Sequence, residues 1–438
     1  MNAKLKGLQE DVGSLSEPAS NISDRSSKSL KICLLGYRSH PYGGGQGIYL
    51  KYLSKALVDA GHSVDVISGE PYPHLDDRVS LIKMPGLNLY ENGLGSLRLH
   101  HLKSRANIVE WLSKLTGGFA EMQAFGRRTV AYLRREGRHY DIIHDNQSLS
   151  FGMLKLQQLG FPLVSTIHHP ITRDLEIALA AANSWREKLL IRRWHSFLDM
   201  QRFVVKRLNH LQTVSNRSKR DIAQAFGIDQ ARLNLVYCGI DTEEFHPMPE
   251  VKKVAYRLMA TASADAPLKG LRYLLEAIAQ LSVKYPDLSL LLVGKPQPGG
   301  DTEQLISRLN IGDRITFVHG ISTEQMVEYY AQAEIAVVPS VYEGFGLPAG
   351  EAMSCGVALV STDGGALPEV VGNAGMQVPV RDSAAIAAAV DELFQSPKKR
   401  EELAAAGRRR IEEKFCWHLA AEQMIEFYRD VLKRHENS

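Results

Sequence analysis

Short apolar runs alternate along this chain with longer stretches in which apolar residues return every third or fourth position. "KICLLGYRS" reads as a buried strand entering a glycine cluster. The next stretch, "GGGQGIYLKYLSKALVDAGH", puts Ile48, Leu50, Leu53, Ala56 and Leu57 at helical spacing and stops at Gly61. "SVDVISG" is a second strand; "DIIHDN", "PLVSTIHH", "HLQTVS" and "LNLVYCG" follow, with helical segments between most of them. Strand, helix, strand in steady succession predicts an α/β protein with a parallel, doubly wound sheet.

"DTEEFHPMPEVKK" interrupts the pattern, with Pro247 and Pro249 in a charged stretch. Alternation then resumes through strands at "VAYRLMATA", "LSLLLVG", "RITFVHG", "IAVVPS" and "VALVST". Residues 30–247 and 251–414 are therefore expected to form two doubly wound domains. A closing helix over 417–435 carries Trp417, Leu419, Met424, Phe427 and Tyr428 and can pack on either unit. Two segments exceed what the alternation needs. About seventy residues separate "SVDVISG" from "DIIHDN", too many for a simple crossover. "SWREKLLIRRWHSFLDMQRFVVKRLN" predicts one helix packed in the first domain with its charges solvated, although basic and aromatic residues together also suit an anionic membrane surface.

The length, 438 residues, exceeds what one core usually organises, which agrees with two domains. A hydrophobic share of 44% and a charged share of 23% are those of a soluble globular chain. A net charge of +3 gives no reason to expect nucleic acid as a partner. Cys33, Cys238, Cys355 and Cys416 are scattered without a CxxC pair, which fits reduced thiols better than disulfides or zinc. No apolar run approaches the roughly 18 residues that span a bilayer. Residues 1–29 lack an apolar signal core and, rich in Ser, Asp and Lys, predict a disordered leader. The expected location is the cytoplasm, or the inner face of the membrane.

The candidate chemistry centres on "VYEGFGLPAGEAMSCG". A strand leads into it, so Glu343 lies in a loop beyond a strand's carboxyl end. Glu351 lies about one turn into the following helix, which Pro348 opens. In an open α/β sheet that rim is where ligands bind. The helix start offers free N–H groups and partial positive charge to an anion such as phosphate. "VALVST", "DGGALPE" and Pro368 repeat the layout, and two such helix starts predict a diphosphate cradle; singly, the glycines could equally serve tight turns. Glycosidase carboxylates stand about 5 to 9.5 Å apart across the scissile bond. The phosphate-friendly loop between these two favours a ligand grip instead.

Lys269, before Gly270 at a strand-to-helix junction, can bring a cation to the same rim. In the first domain "SHPYGGGQGIYL" supplies a backbone nest for phosphate or close ligand approach. It lacks the third glycine of the dinucleotide fingerprint, with Ile48 or Leu50 in its place, which argues against hydride transfer. His168 and His169 close the strand in "STIHH" and would face the second domain across a cleft. No D-x-D triplet and no His/Asp/Cys cluster of ligand spacing occurs, so neither a catalytic metal nor another cofactor is expected.

With these residues together, the chain resembles the retaining glycosyltransferases of family 4, which have the GT-B fold: two Rossmann-like doubly wound domains facing a central cleft. The likeness runs from Lys31 to the C-terminus through "GGGQG", "STIHH", "TVSNRSKRDI", "CGIDTEEFHP" and "LKG". It is closest in "EGFGLPAGEAMSCGVALVSTDGGALPEVV", which matches the family's Glu-x7-Glu signature. The resemblance implies a nucleotide-sugar donor, UDP-linked before GDP-linked, held by the second domain. It implies a lipid-linked, glycolipid or saccharide acceptor held by the first.

By the same resemblance Glu343 contacts the donor sugar and Glu351 the ribose hydroxyls. The N–H groups of Phe345, Gly346 and Leu347 hold sugar and diphosphate, and Lys269 neutralises the departing diphosphate. Gly44 and Gly45 approach the phosphates from the other domain, His168 lies near the sugar, and the backbone at Ile321 lines the base. Retention, with a phosphate oxygen taking the acceptor's proton, is implied too, as is a terminal helix that crosses back to the first domain. One feature departs from the family: its arginine five residues before the lysine is Ala264 here. Lys295, in "LLVGKPQPGG", is the expected substitute. Rival readings are another GT-B enzyme, such as an epimerase or a phosphorylase, and a non-catalytic binding module; the intact Glu343, Lys269 and Glu351 set speaks against the module.

Overall fold

The computed structural model describes residues 28–41, 45–98, 101, 104–182, 184–262 and 265–437. Gly44, Ala264 and all but the last two residues of the expected 1–29 leader lie outside the described residues. The first sheet contains β1 Lys31–Gly36, β2 Ser63–Ser68, β3 Ser80–Lys83, β4 Ile142–Asn146, β5 Leu163–Ile167, β6 His210–Thr213 and β7 Leu233–Leu235. Its strand order is β3-β2-β1-β4-β5-β6-β7. The second contains β8 Arg257–Thr261, β9 Ser289–Val293, β10 Ile315–Val318, β11 Ile335–Val338, β12 Ala358–Thr362 and β13 Met376–Val378. Its order is β10-β9-β8-β11-β12-β13.

All these pairings are parallel. Helices cover both faces of such a sheet, which is why β4, β5, β11 and β12 are buried along their whole length. The strand order reverses between β1 and β4 in one sheet and between β8 and β11 in the other. Loops diverge there and leave a crevice at the carboxyl ends of the strands.

Two strands had no sequence signal. β3 ("SLIK") and β13 ("MQV") are edge strands of four and three residues, too short for a periodicity to register. The long segment before β4 folds into β3 and helices that include Arg105–Leu115 and Glu121–Glu136. These two helices are pinned by an ion pair between Arg128 and the buried Glu110, 2.8 Å long.

The basic aromatic segment corrects its expectation. It is two helices, Trp185–Trp194 and Phe197–Val205, broken at His195–Ser196. The second packs inward through Phe197, Leu198, Gln201, Val204 and Val205, whose spacing makes a continuous stripe. The first buries none of its residues: Trp185, Leu189 and Leu190 are 70, 57 and 60% exposed.

The final helix, Trp417–Glu436, returns to the first domain. Trp417 packs against Tyr49 and Tyr52, and the Tyr428 hydroxyl bonds Nδ1 of His144 in β4. Both crossings between the sheets run side by side, with the Ile240 N–H donating to the Phe415 carbonyl at 2.7 Å.

Candidate active site

The switch point of the second sheet assembles the charged group. Lys269 follows β8 and Glu343 follows β11, its neighbour in the sheet. The Lys269 ammonium donates to Glu343 Oε1 at 2.7 Å, and the Ser340 hydroxyl donates to the same oxygen at 2.7 Å. Gly270 lets the two loops meet: a Cβ there would lie 2.0 Å from the Pro339 carbonyl oxygen. Glu343 is 9% exposed. Glu351, half-buried, has its pKa pushed up to about 7, first by burial and then by Glu343. Lys269 and a hydrogen bond from Tyr330 pull it partly back. One field therefore links Glu343, Glu351 and Lys269.

Between the glutamates, Gly346 has φ 107° and starts the helix Leu347–Ser354, with Pro348 in its first turn. The N–H groups of Phe345, Gly346 and Leu347 donate to no acceptor among the described residues. Phe345 itself is buried against Phe415, which fixes the loop from below. Three consecutive free donors at a helix start form a site suited to an anion.

The glycines of the second loop serve a close approach between the two loops. A Cβ on Gly365 would lie 2.2 Å from the Glu343 carbonyl oxygen, which instead accepts the Ala366 N–H at 2.8 Å. Its helix, Leu367–Val371, has five residues, and the Glu369 carboxylate accepts the backbone N–H groups of Asn216 and Arg217 in the other domain. Gly364 and Gly365 thus allow one loop to lie directly under the other.

Across the cleft, the helix Asn216–Phe226 ties the Glu343 loop to the first domain. The Ser215 hydroxyl donates to the Gly344 carbonyl at 2.7 Å, and Ser218 Oγ lies 2.7 Å from the His168 carbonyl and 3.0 Å from that of Gly344. The Tyr342 hydroxyl donates to the buried Asp221 at 2.9 Å. His168 follows β5, and burial, then His169 and His144, hold its pKa down at about 3. It is therefore neutral at physiological pH.

The structure brings Glu343, Lys269, Glu351, Phe345, Gly346 and Leu347 into one group, with His168 facing it. Gly45 opens the helix Gly45–Asp59, where an added Cβ would meet no atom within 4 Å. Gly47 is the position that needs glycine, since a Cβ would lie 2.3 Å from the His40 carbonyl. Lys295 comes two residues after β9, exposed and without a hydrogen bond or ion pair among the described residues. It does not touch the Lys269–Glu343 pair. Ile321 is half-buried beyond the edge strand β10. Among the described residues, no group of three or more His, Cys, Asp or Glu side chains is placed to hold a metal ion.

The sequence reading missed Ser340, Tyr342, Ser218, Asn146 and Gln147. The last two sit in "DNQSLS", a polar run that predicts solvent exposure yet is buried throughout.

The chain matches the family model Glycosyltransferase Family 4 over residues 43–244 and Glycosyl transferases group 1 over 243–410. The MMP alpha-(1->4)-mannosyltransferase of Mycolicibacterium hassiacum is 42% identical over 411 residues, 92% of this chain and 99% of that protein. This chain is a family 4 glycosyltransferase. Another relative of this glycosyltransferase, the D-inositol 3-phosphate glycosyltransferase of Geodermatophilus obscurus, is 29% identical over 88% of the chain and 84% of that protein. Sucrose-phosphate synthase of Thermosynechococcus elongatus superposes with a TM-score of 0.71 at 24% identity, covering 92% of this chain and 100% of that one. The GT-B fold that the sequence led us to expect is the fold observed.

Proposed function

We propose that this glycosyltransferase moves a mannosyl group from a nucleotide-sugar to a hydroxyl of a saccharide or lipid-linked saccharide, with retention at the anomeric carbon. The mannosyl assignment rests on the 42% identical mannosyltransferase. The site roles rest above all on the 2.7 Å Lys269–Glu343 pair at the switch point, beside three free N–H groups. In this reading Ile321, Lys295, Lys269 and Glu343 follow the donor from base to sugar, in the order β10, β9, β8, β11. Three strand steps of about 4.8 Å span roughly 14 Å, the scale of an extended nucleotide-sugar.

The acceptor oxygen bonds to the anomeric carbon on the face from which the diphosphate leaves, and its proton passes to a diphosphate oxygen. Negative charge grows on that leaving group. Lys269, the amides of residues 345–347 and Lys295 stabilise it, each preorganised donor by about 3 to 4 kcal/mol. Glu343 exchanges part of its ion pair for sugar hydroxyls, and Glu351 grips the ribose. Because lysines supply the cations, turnover should survive EDTA unchanged.

The acceptor side carries the membrane part of the proposal. Trp185–Trp194 holds four basic residues and one acidic one beside its exposed Trp185, Leu189 and Leu190, and the helix Arg105–Leu115 exposes Leu112 and Leu115 by 49 and 53%. Leu190 lies beside Gly117, at the turn after Arg105–Leu115, and Arg193 bonds Thr116 there, which joins the two helices. Apolar side chains ringed by cations suit an anionic lipid surface on the cytoplasmic face, where a lipid-linked acceptor would be presented. No helix among the described residues is long and apolar enough to cross a membrane. Flotation with anionic vesicles at low salt, where attraction is least screened, should carry wild type and leave Leu189→Glu/Leu190→Glu behind. Wild type that stays at the bottom contradicts the membrane part.

The direct test of function is a donor screen by thermal shift with UDP-, GDP- and ADP-sugars, mannose included. UDP is ranked first and GDP second. A donor at a hundred times its Kd adds about 2.7 kcal/mol of stability. NMR of the transferred sugar then reports the anomer. No stabilisation by any mannosyl donor, or an inverted product, overturns the reading.

A further inference from the structure

The residue that holds His168 lies on the neighbouring strand. Asn146 closes β4, and its Oδ1 is 2.6 Å from His168 Nε2, while its Nδ2 donates to the Gln46 carbonyl at 2.9 Å. An amide that uses its nitrogen on a carbonyl must present its oxygen to the imidazole, so Nε2 carries the proton. Nδ1 then has a lone pair, and no group among the described residues bonds it.

Gln147 holds the backbone on both sides of the ring. Its Oε1 accepts the His168 N–H at 2.6 Å and its Nε2 donates to the His169 carbonyl at 3.0 Å. It does so from a left-handed conformation, φ 58°, at 1% exposure. Such a conformation costs a non-glycine residue about 1 to 3 kcal/mol and persists where the surroundings impose it.

We infer that Asn146 is a positioning residue of the transferase reaction: it fixes His168 as the Nε2–H tautomer, so that Nδ1 accepts a hydrogen bond from a hydroxyl of the donor sugar. The inference rests on the proposed place of His168 at the sugar. The same amide anchors Gln46, so the ring and the start of the Gly45–Asp59 helix keep one register. The titratable groups facing the ring are His169, itself bonded to Asp174, and His144 on β4; Tyr49 lies edge-on at 4.7 Å. Among the described residues no carboxylate touches the ring, which therefore stays uncharged.

Two variants test this, read by 15N NMR of the His168 imidazole and by turnover against pH. Wild type should show an Nε2–H ring that does not titrate between pH 5 and 8. Asn146→Ala should lose the tautomer preference and at least tenfold in kcat, with donor KM changed less. Asn146→Asp keeps the acceptor, and so the tautomer, but sets a carboxylate against Nε2. His168 should then titrate within that pH range, with turnover falling as the ring gains its second proton. An unchanged tautomer in Asn146→Ala overturns the inference directly. A lost tautomer with unchanged kcat overturns it through the reading beneath it, because His168 would then not serve the sugar.

Discussion

Glu351→Gln separates the stability of the site from its function. In the folded chain the Glu351 carboxyl keeps its proton up to about pH 7, against an ordinary value of 4.5, because burial outweighs the pull of Lys269 and Tyr330. Between those values the folded state holds a proton that the unfolded chain has released. Stability therefore falls as pH rises from 4.5 to about 7 and is level above that. At 1.36 kcal/mol per unit, the ionised carboxylate costs about 3 kcal/mol above pH 7. Glutamine has the same shape and never ionises, so the variant should gain about 3 kcal/mol at pH 8 and less than about 1 kcal/mol at pH 5. It should lose a charged hydrogen bond to the ribose, worth about 1.5 to 3 kcal/mol, and so bind donor roughly 10- to 100-fold more weakly at pH 8. Urea unfolding at both pH values without donor, together with calorimetric titration of donor, measures the two effects. A gain equal at pH 5 and pH 8, or unchanged donor affinity, refutes the reasoning.

Lys295→Ala should weaken donor binding and turnover at least tenfold; if both survive, Lys295 does not replace the missing arginine. Gly365→Ala should destabilise by about 2 to 5 kcal/mol and abolish transfer, because its Cβ would drive into the Glu343 backbone. Gly61→Ala, whose Cβ meets open space at a similar φ, should cost only about 1 kcal/mol, and equal costs would contradict the close-approach argument. Tyr428→Phe should cost about 1 to 2 kcal/mol in thermal or urea unfolding by orphaning buried His144, with donor affinity unchanged; a variant as stable as wild type would contradict that.

Most strands were legible because a parallel strand covered on both faces must be apolar throughout, as in "IAVV" of β11. The Lys269–Glu343 meeting was legible in outline, since both residues follow strands that feed one rim. What stayed hidden depends on strand order, which no local pattern carries. Only the adjacency of β4 and β5 places Asn146 against His168, and only domain docking places Ser218 between the His168 and Gly344 carbonyls. The glycines of "DGG" fit a cradle and a close approach equally well until Glu343 is seen above them. The exposed helix Trp185–Trp194 was hidden by its contiguity with a packed one.

The central claim is that Glu343 and Glu351 grip one donor at different points and are not an acid and its base. Side-by-side kinetics and donor calorimetry of Glu343→Ala and Glu351→Ala test it most directly. Glu343→Ala should lose far more turnover than Glu351→Ala, while Glu351→Ala should mainly lose donor affinity. Equal loss of turnover in both, with donor affinity intact, would contradict it.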